Sequence, residues 1–241
     1  MFSAVDPRAF IFDLDGTVLD SEPVYWESDR AFLASWGVDY DEELNASMVG
    51  RGAIEFFRSL EGLFPSSPLN ALPLSERVRL KDEAYLLYAA PRLRAFPAMA
   101  SFIHALALER MPMAIASGSS PAVIDATLRS AGLLDAFPIR VSASEVARGK
   151  PEPDVFLEAA RRLGVPPGAC VVFEDSRPGV LAAKAAGMAC VALPAPGSED
   201  APEFHRADFM IPGGAGAFDP SDALDWLASL RREAPSLGTR A

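Results

Sequence analysis

Apolar residues gather in short, near-continuous runs along most of the chain. They are AFIFDL at 9–14, PMAIAS at 112–117, IRVS at 139–142, CVVFE at 170–174, ACVAL at 189–193 and DFMI at 208–211. Runs of four to six apolar residues without strict alternation predict strands buried on both faces, as in a parallel sheet. Helical stretches lie between them. PAMASFIHALALER places Phe102, Ile103, Leu106 and Leu108 at helical spacing, and PAVIDATLRSAGLL opens at Pro121 and breaks at Gly132. PDVFLEAARRLG stops at Gly164 and RPGVLAAKAAG at Gly187, glycine after the last apolar position being a helix stop. Strand alternating with helix predicts an α/β fold with a doubly wound parallel sheet, whose ligands bind beyond the carboxyl ends of the strands.

Residues 21–92 break this rhythm with helical patterns and no strand. Ser21 is placed to cap a helix over Glu22–Trp36, with Pro23 in its first turn, Tyr25, Phe32 and Trp36 along one stripe, and Gly37 as its stop. Asp41, Gly52 and Ser75 mark further helix starts, and FPSSPLNALP at 64–73 reads as a connection. The pattern divides the chain into a core of residues 1–20 and 93–241, an inserted helical cap at 21–92, and a frayed tail at 233–241.

Composition narrows the class. The 241 residues carry 33 Asp+Glu against 22 Lys+Arg, a formal net charge of −11, with 2 Cys and 2 His. The acid excess argues against a nucleic-acid surface. No apolar run is long enough to span a bilayer, and the N-terminus lacks the pattern of a signal peptide, so a soluble cytoplasmic protein is expected. Cys170 and Cys190 each open an apolar run and read as small buried hydrophobes. Two histidines and no G-x-S-x-G elbow leave little from which to build a Ser-His-Asp hydrolase. GGAG at 213–216 lacks the context of a dinucleotide site, and no P-loop occurs. His104 reads as structural and His205 as exposed.

The chemistry concentrates at strand ends. In FDLDGTVLD, Asp13 and Asp15 leave a buried strand two residues apart, before a glycine that permits a tight turn. Two carboxylates there are costly unless neutralised; a divalent cation with oxygen ligands, such as Mg²⁺, does this, whereas an Asp-rich turn that caps the next helix is the plainer alternative.

D-x-D-G-T after a buried strand resembles the first motif of the haloacid dehalogenase-like hydrolases, and three further motifs follow in that family's order. IASGSS at 115–120 resembles the second motif, GKPEPDVF at 149–156 the third and FEDSRPG at 173–179 the fourth. The inserted helices occupy the cap position of the subgroup that includes beta-phosphoglucomutase and sugar-phosphate phosphatases. The resemblance implies that Asp13 is a nucleophile forming a phosphoaspartyl intermediate and that Asp15 is the general acid and base. It implies phosphate binding by Ser117, Gly118 and Lys150, and an Mg²⁺ site from Asp13, the backbone carbonyl of Asp15, Glu174 and Asp175. Taken singly the signals are weaker: Ser117 could end a strand, Lys150 could be a solvated surface charge, and Glu174 with Asp175 could be a helix-capping pair.

Departures from the family narrow the reaction. Asp15 favours phosphoryl transfer over dehalogenation. Lys81, the lysine in the cap, reads as solvated rather than as a Schiff-base residue. Tyr25 stands where beta-phosphoglucomutases carry a histidine, and Arg51 lies near the position of their distal-phosphate arginine. Tyr25 and Arg51 are therefore the cap candidates for substrate contact, with Arg58 nearby. The expected activity is Mg²⁺-dependent hydrolysis of a small phosphorylated metabolite, most plausibly a sugar phosphate. The alternatives are a hexose-phosphate mutase and a non-catalytic binding protein on the same fold. Substrate identity and oligomeric state are not legible at this level.

Overall fold

The computed structural model describes residues 7–48, 52–89 and 92–232. Strand β1 (Ala9–Phe12) is followed by helices α1 (Glu22–Ala34), α2 (Glu42–Met48), α3 (Ala53–Leu63) and α4 (Leu74–Ala89). The alternating part then runs α5 (Pro97–Leu108), β2 (Met113–Ser117), α6 (Pro121–Ser130), β3 (Ile139–Ser142), α7 (Asp154–Leu163) and β4 (Cys170–Glu174). It closes with α8 (Arg177–Ala185), β5 (Ala189–Ala192), β6 (Phe209–Met210) and α9 (Pro220–Arg232).

The six strands form one sheet in the order β3-β2-β1-β4-β5-β6, with every pairing parallel. This is the doubly wound arrangement that the apolar runs predict. The order reverses beside β1, and a crevice opens there at the carboxyl ends of β1, β2 and β4. Register brings the acidic ends together: Phe12 lies opposite Phe173, so Asp13 and Glu174 follow on adjacent strands. The amide of Asp13 donates to the carbonyl of Phe173 at 2.9 Å.

Both faces of the sheet are covered. Phe10, Phe12, Val171 and Phe173 pack with Phe102 of α5, Ile124 of α6 and Leu227 of α9. Ala9, Ile11, Cys170 and Val172 pack with Phe156 of α7 and Val180 of α8 on the other side. The period-2 alternation thus divides each run between two cores. Phe12 and Phe173 stack at 4.9 Å between ring centroids, directly beneath the two acidic strand ends. A third cluster, around Phe32, Leu33, Tyr40, Phe56, Phe57 and Leu60, is built from the inserted helices alone. Helix α4 lies along α1 and against α6, and Tyr85 of α4 joins the core over the sheet. The connections into and out of the inserted block run side by side, with the Asp20 amide donating to the Arg94 carbonyl at 3.0 Å.

Several local expectations are refined. Helix α1 ends at Ala34 rather than Trp36, and Ser21 makes no capping bond because its backbone is already helical. Asp41 caps α2 by accepting from the Leu44 amide at 2.8 Å, and Gly52 precedes α3 in extended backbone. Helix α4 starts at Leu74, which puts Ser75 inside its first turn. The connection at 64–73 contains a short 3₁₀ turn, Pro68–Ala71, capped by Ser67. Cys170 and Cys190 are buried and free, while His104 is exposed on α5 and His205 is exposed. No helix among the described residues is long and apolar enough to cross a membrane. Arg51 and the tail at 233–241 lie outside the described residues.

Candidate active site

The turn after β1 is closed by amides of Val18 and Leu19 donating to the Leu14 carbonyl at 3.0 and 2.9 Å. Gly16 has φ +80°, and a Cβ there would come within 2.2 Å of Asp175 Oδ2, so only glycine fits both the backbone and the space. Thr17 donates to Asp175 Oδ1 at 3.1 Å, fastening the turn to the end of β4.

Glu174 is fully buried, and both its oxygens are engaged. Oε2 accepts from the Ser176 amide at 2.8 Å and the Ser176 hydroxyl at 2.9 Å, while Oε1 accepts from Lys150 Nζ at 2.5 Å. Ser176 also caps α8 through the Gly179 amide at 3.1 Å. A Cβ on Gly179 would overlap Glu174 Oε1 at 1.8 Å, so the first turn of α8 has been kept bare to admit this carboxylate.

Lys150 Nζ also donates to Asp13 Oδ1 at 2.5 Å and lies 5.0 Å from the centroid of Phe156. One ammonium thus joins the ends of β1 and β4. At the end of β2, the Ser117 hydroxyl accepts from the Ser119 amide at 3.0 Å, and Gly118 is exposed at the start of the loop. Ser119 donates to Asp15 Oδ2 at 2.8 Å. Asp13, Asp15, Ser117, Lys150, Glu174 and Asp175 therefore converge on one crevice from four separate segments.

Charge does not balance there: four carboxylates share one ammonium. Burial pushes Asp13 up to about 8, aided by Glu174 and Asp15 and opposed by Lys150. Burial likewise raises Asp175 well above the carboxylate range, with Glu174 and Asp13 adding to it, and it raises Asp15 against the Ser119 hydroxyl. Burial alone would depress Lys150, but Asp13 and Glu174 more than reverse this and keep it protonated. Such a site lacks positive charge, and its free donors are hard oxygens, the chemistry that Mg²⁺ takes. No three His, Cys, Asp or Glu side chains among the described residues form a ready cage. With Glu174 turned to Lys150 and Ser176, the fitting set is Asp13, Asp175 and the Asp15 carbonyl. Mg²⁺ ordinarily binds through one or two carboxylates and fills the rest with water and phosphate oxygens.

The inserted helices add side chains to the crevice. Tyr25 of α1 makes a 3.0 Å hydrogen bond with Ser119 and stacks on Tyr85 at 4.0 Å. Lys81 corrects an expectation: it is only 12% exposed, paired with Asp29 at 2.7 Å and set over the rings of Tyr25 and Phe56 at 5.3 and 5.1 Å. It is a buried residue, not a solvated one. Arg58 is exposed on α3. Ser119, Thr17 and Ser176 were not singled out from the sequence, although each lies within a motif; the S-x-x-G capping pattern marks Ser176.

A model of the haloacid dehalogenase-like hydrolases matches residues 7–187. The bifunctional riboflavin kinase/FMN phosphatase of Arabidopsis thaliana is 34% identical over 76% of this chain, which spans only 48% of that relative's length. The fructose-1-phosphate phosphatase YqaB of Escherichia coli is 36% identical over 75% of this chain and 93% of its own. Among solved structures, CbbY from Rhodobacter sphaeroides in complex with phosphate superposes with a TM-score of 0.75 at 26% identity, covering 85% of this chain and 93% of that one. The chain belongs to the haloacid dehalogenase-like hydrolase family and is a phosphoric monoester hydrolase.

Proposed function

We propose that this protein is an Mg²⁺-dependent phosphatase for a small phosphorylated metabolite, a sugar or polyol phosphate, working through a phosphoaspartyl intermediate on Asp13. The observation that carries this reading is the separation of two neighbouring carboxylates by their partners. Asp13 is held by the Lys150 ammonium and Asp15 by the neutral hydroxyl of Ser119. Two carboxylates in different environments can take different roles. Similarity to a fructose-1-phosphate phosphatase supports the substrate class.

Lys150 fixes Asp13 at the strand end and offsets part of the charge of an incoming phosphate dianion. The Ser117 hydroxyl and the amides of the following loop, Gly118 among them, donate to phosphate oxygens. Bound by Asp13, Asp175 and the Asp15 carbonyl, Mg²⁺ would supply the remaining positive charge. An Asp13 oxygen forms a bond to phosphorus as the ester P–O bond breaks, and Asp15 gives its proton to the departing alkoxide. Water then attacks the phosphoaspartate, Asp15 takes the water's proton, and the Asp13–phosphorus linkage breaks to release inorganic phosphate. Tyr25, backed by the buried Tyr85, presents an aromatic face beside Asp15, suited to the ring or carbon chain of a metabolite, with Arg51 proposed as a further contact.

A phosphate-release panel of sugar, polyol and nucleotide monophosphates with Mg²⁺ tests the reading. Sugar and polyol phosphates should give the highest kcat/KM, and chelation by EDTA should suppress turnover. A flat panel, or activity indifferent to chelation, would overturn it.

A further inference from the structure

Ser119 lies within the second motif, two residues after Ser117, and touches both the core and the inserted helices. Its hydroxyl has one hydrogen, which goes to Asp15 Oδ2 at 2.8 Å. The 3.0 Å contact with Tyr25 must then run the other way, with Tyr25 donating and Ser119 accepting. The main chain of Ser119 is clamped as well: its amide donates to Ser117 Oγ at 3.0 Å, and its carbonyl accepts from Ser142 Oγ at 2.7 Å. Asp15 Oδ1 is buried, and the buried Ser21 hydroxyl is the second donor acting on this carboxyl.

We propose that Ser119, oriented by Tyr25, is a positioning residue that fixes the Asp15 carboxyl in the orientation from which it meets the leaving group. The inference rests on the general-acid reading of Asp15 given above. The 2.8 Å bond from Ser119 fixes the rotation of the carboxyl about its side-chain axis. Tyr25 keeps the Ser119 hydroxyl from rotating away, since that rotation would leave the tyrosine hydrogen without its acceptor. Tyr25 lies in the first turns of α1, so the seating of the inserted helices and the orientation of the acid share a single hydrogen bond.

Leaving-group dependence separates this role from a structural one. An alkyl phosphate needs its leaving oxygen protonated, whereas 4-nitrophenyl phosphate departs as a stable phenolate and needs this far less. kcat/KM reports the steps through phosphoryl transfer, so the two substrates are compared on that parameter. Ser119→Ala should lower kcat/KM for glycerol phosphate by about tenfold to a hundredfold, with the loss on 4-nitrophenyl phosphate several times smaller. Ser119→Thr, which keeps the hydroxyl, should restore most of the difference. Tyr25→Phe should give the same split at smaller amplitude, and it carries the test if Ser119→Ala does not fold. Equal losses on both substrates, or no loss on either, would overturn the proposal while leaving the general-acid reading intact. Asp15→Asn run beside them tests that reading separately: a loss in Asp15→Asn that ignores the leaving group removes both.

Discussion

Two lysines in this molecule are buried to almost the same degree, and they do opposite things. Lys150 is 13% exposed and Lys81 is 12% exposed, each against carboxylate and aromatic neighbours. Lys81 pairs directly with one carboxylate, Asp29, and lies over two aromatic rings, so its direct contacts are balanced, with Asp15 acting on it at longer range. Lys150 faces Asp13 and Glu174 directly, with Asp15 and Asp175 beside them, so its surroundings remain anionic after pairing. A balanced buried pair is complete within the fold. An unbalanced cluster needs something from outside, and here that need coincides with the crevice at the strand ends. Burial and pairing alone do not mark a functional lysine; the residual charge around it does.

Five substitutions or conditions sharpen this contrast, those acting on rate first and those acting on stability after them. Lys150→Met should lower kcat/KM on 4-nitrophenyl phosphate by about a thousandfold, since it removes a preorganised charge from the phosphate site. Gly16→Ala should cost about a hundredfold, because its Cβ would displace the Asp175 carboxylate. Gly37→Ala is the control: with φ +71° and open space around it, it should destabilise by about 1 kcal/mol and leave kcat unchanged. Lys81→Met should act mainly on stability, with a loss of about 3 kcal/mol in urea unfolding as Asp29 is left buried and unpaired. The Lys81→Met/Asp29→Leu pair should recover most of that loss, and activity on the small aryl phosphate should fall less than tenfold. Last, Mg²⁺ at a hundred times its Kd should stabilise the wild type by about 2.7 kcal/mol, and Asp175→Asn should lose most of this increment. A Lys81→Met variant that folds normally but loses a thousandfold in rate would erase the distinction between the two sites.

Much of the fold is legible in the sequence because it follows from local pattern. The run AFIFDL needs two covered faces, and the β1–β4 register then carries Asp13 to Glu174. Three of the motifs are legible for the same reason, each an acid or hydroxyl where an apolar run stops, while Lys150, eight residues beyond β3, is marked by the Pro-Glu-Pro turn that follows it. Lys81 is not legible, because its burial comes from Tyr25 on α1 and Phe56 on α3 closing over it. On its own helix it is one charge among several. Nor could the sequence divide the work of Glu174 and Asp175. They are adjacent acids, and only the folded chain turns Glu174 inward to Lys150 and Ser176 and leaves Asp175 beside Gly16. Nor is Ser119 legible, because its bond to Asp15 spans 104 residues.

The central claim, that the anionic surplus around Lys150 is a phosphoryl-transfer site with Asp13 as nucleophile, is tested most directly by one pair of assays. Phosphate release from 4-nitrophenyl phosphate is measured with Mg²⁺ for the wild type and for Asp13→Asn, at matched folded concentration. The account predicts Mg²⁺-dependent turnover in the wild type and a loss of at least about a thousandfold in the variant. Asp13→Asn that turns over within tenfold of the wild type would contradict it.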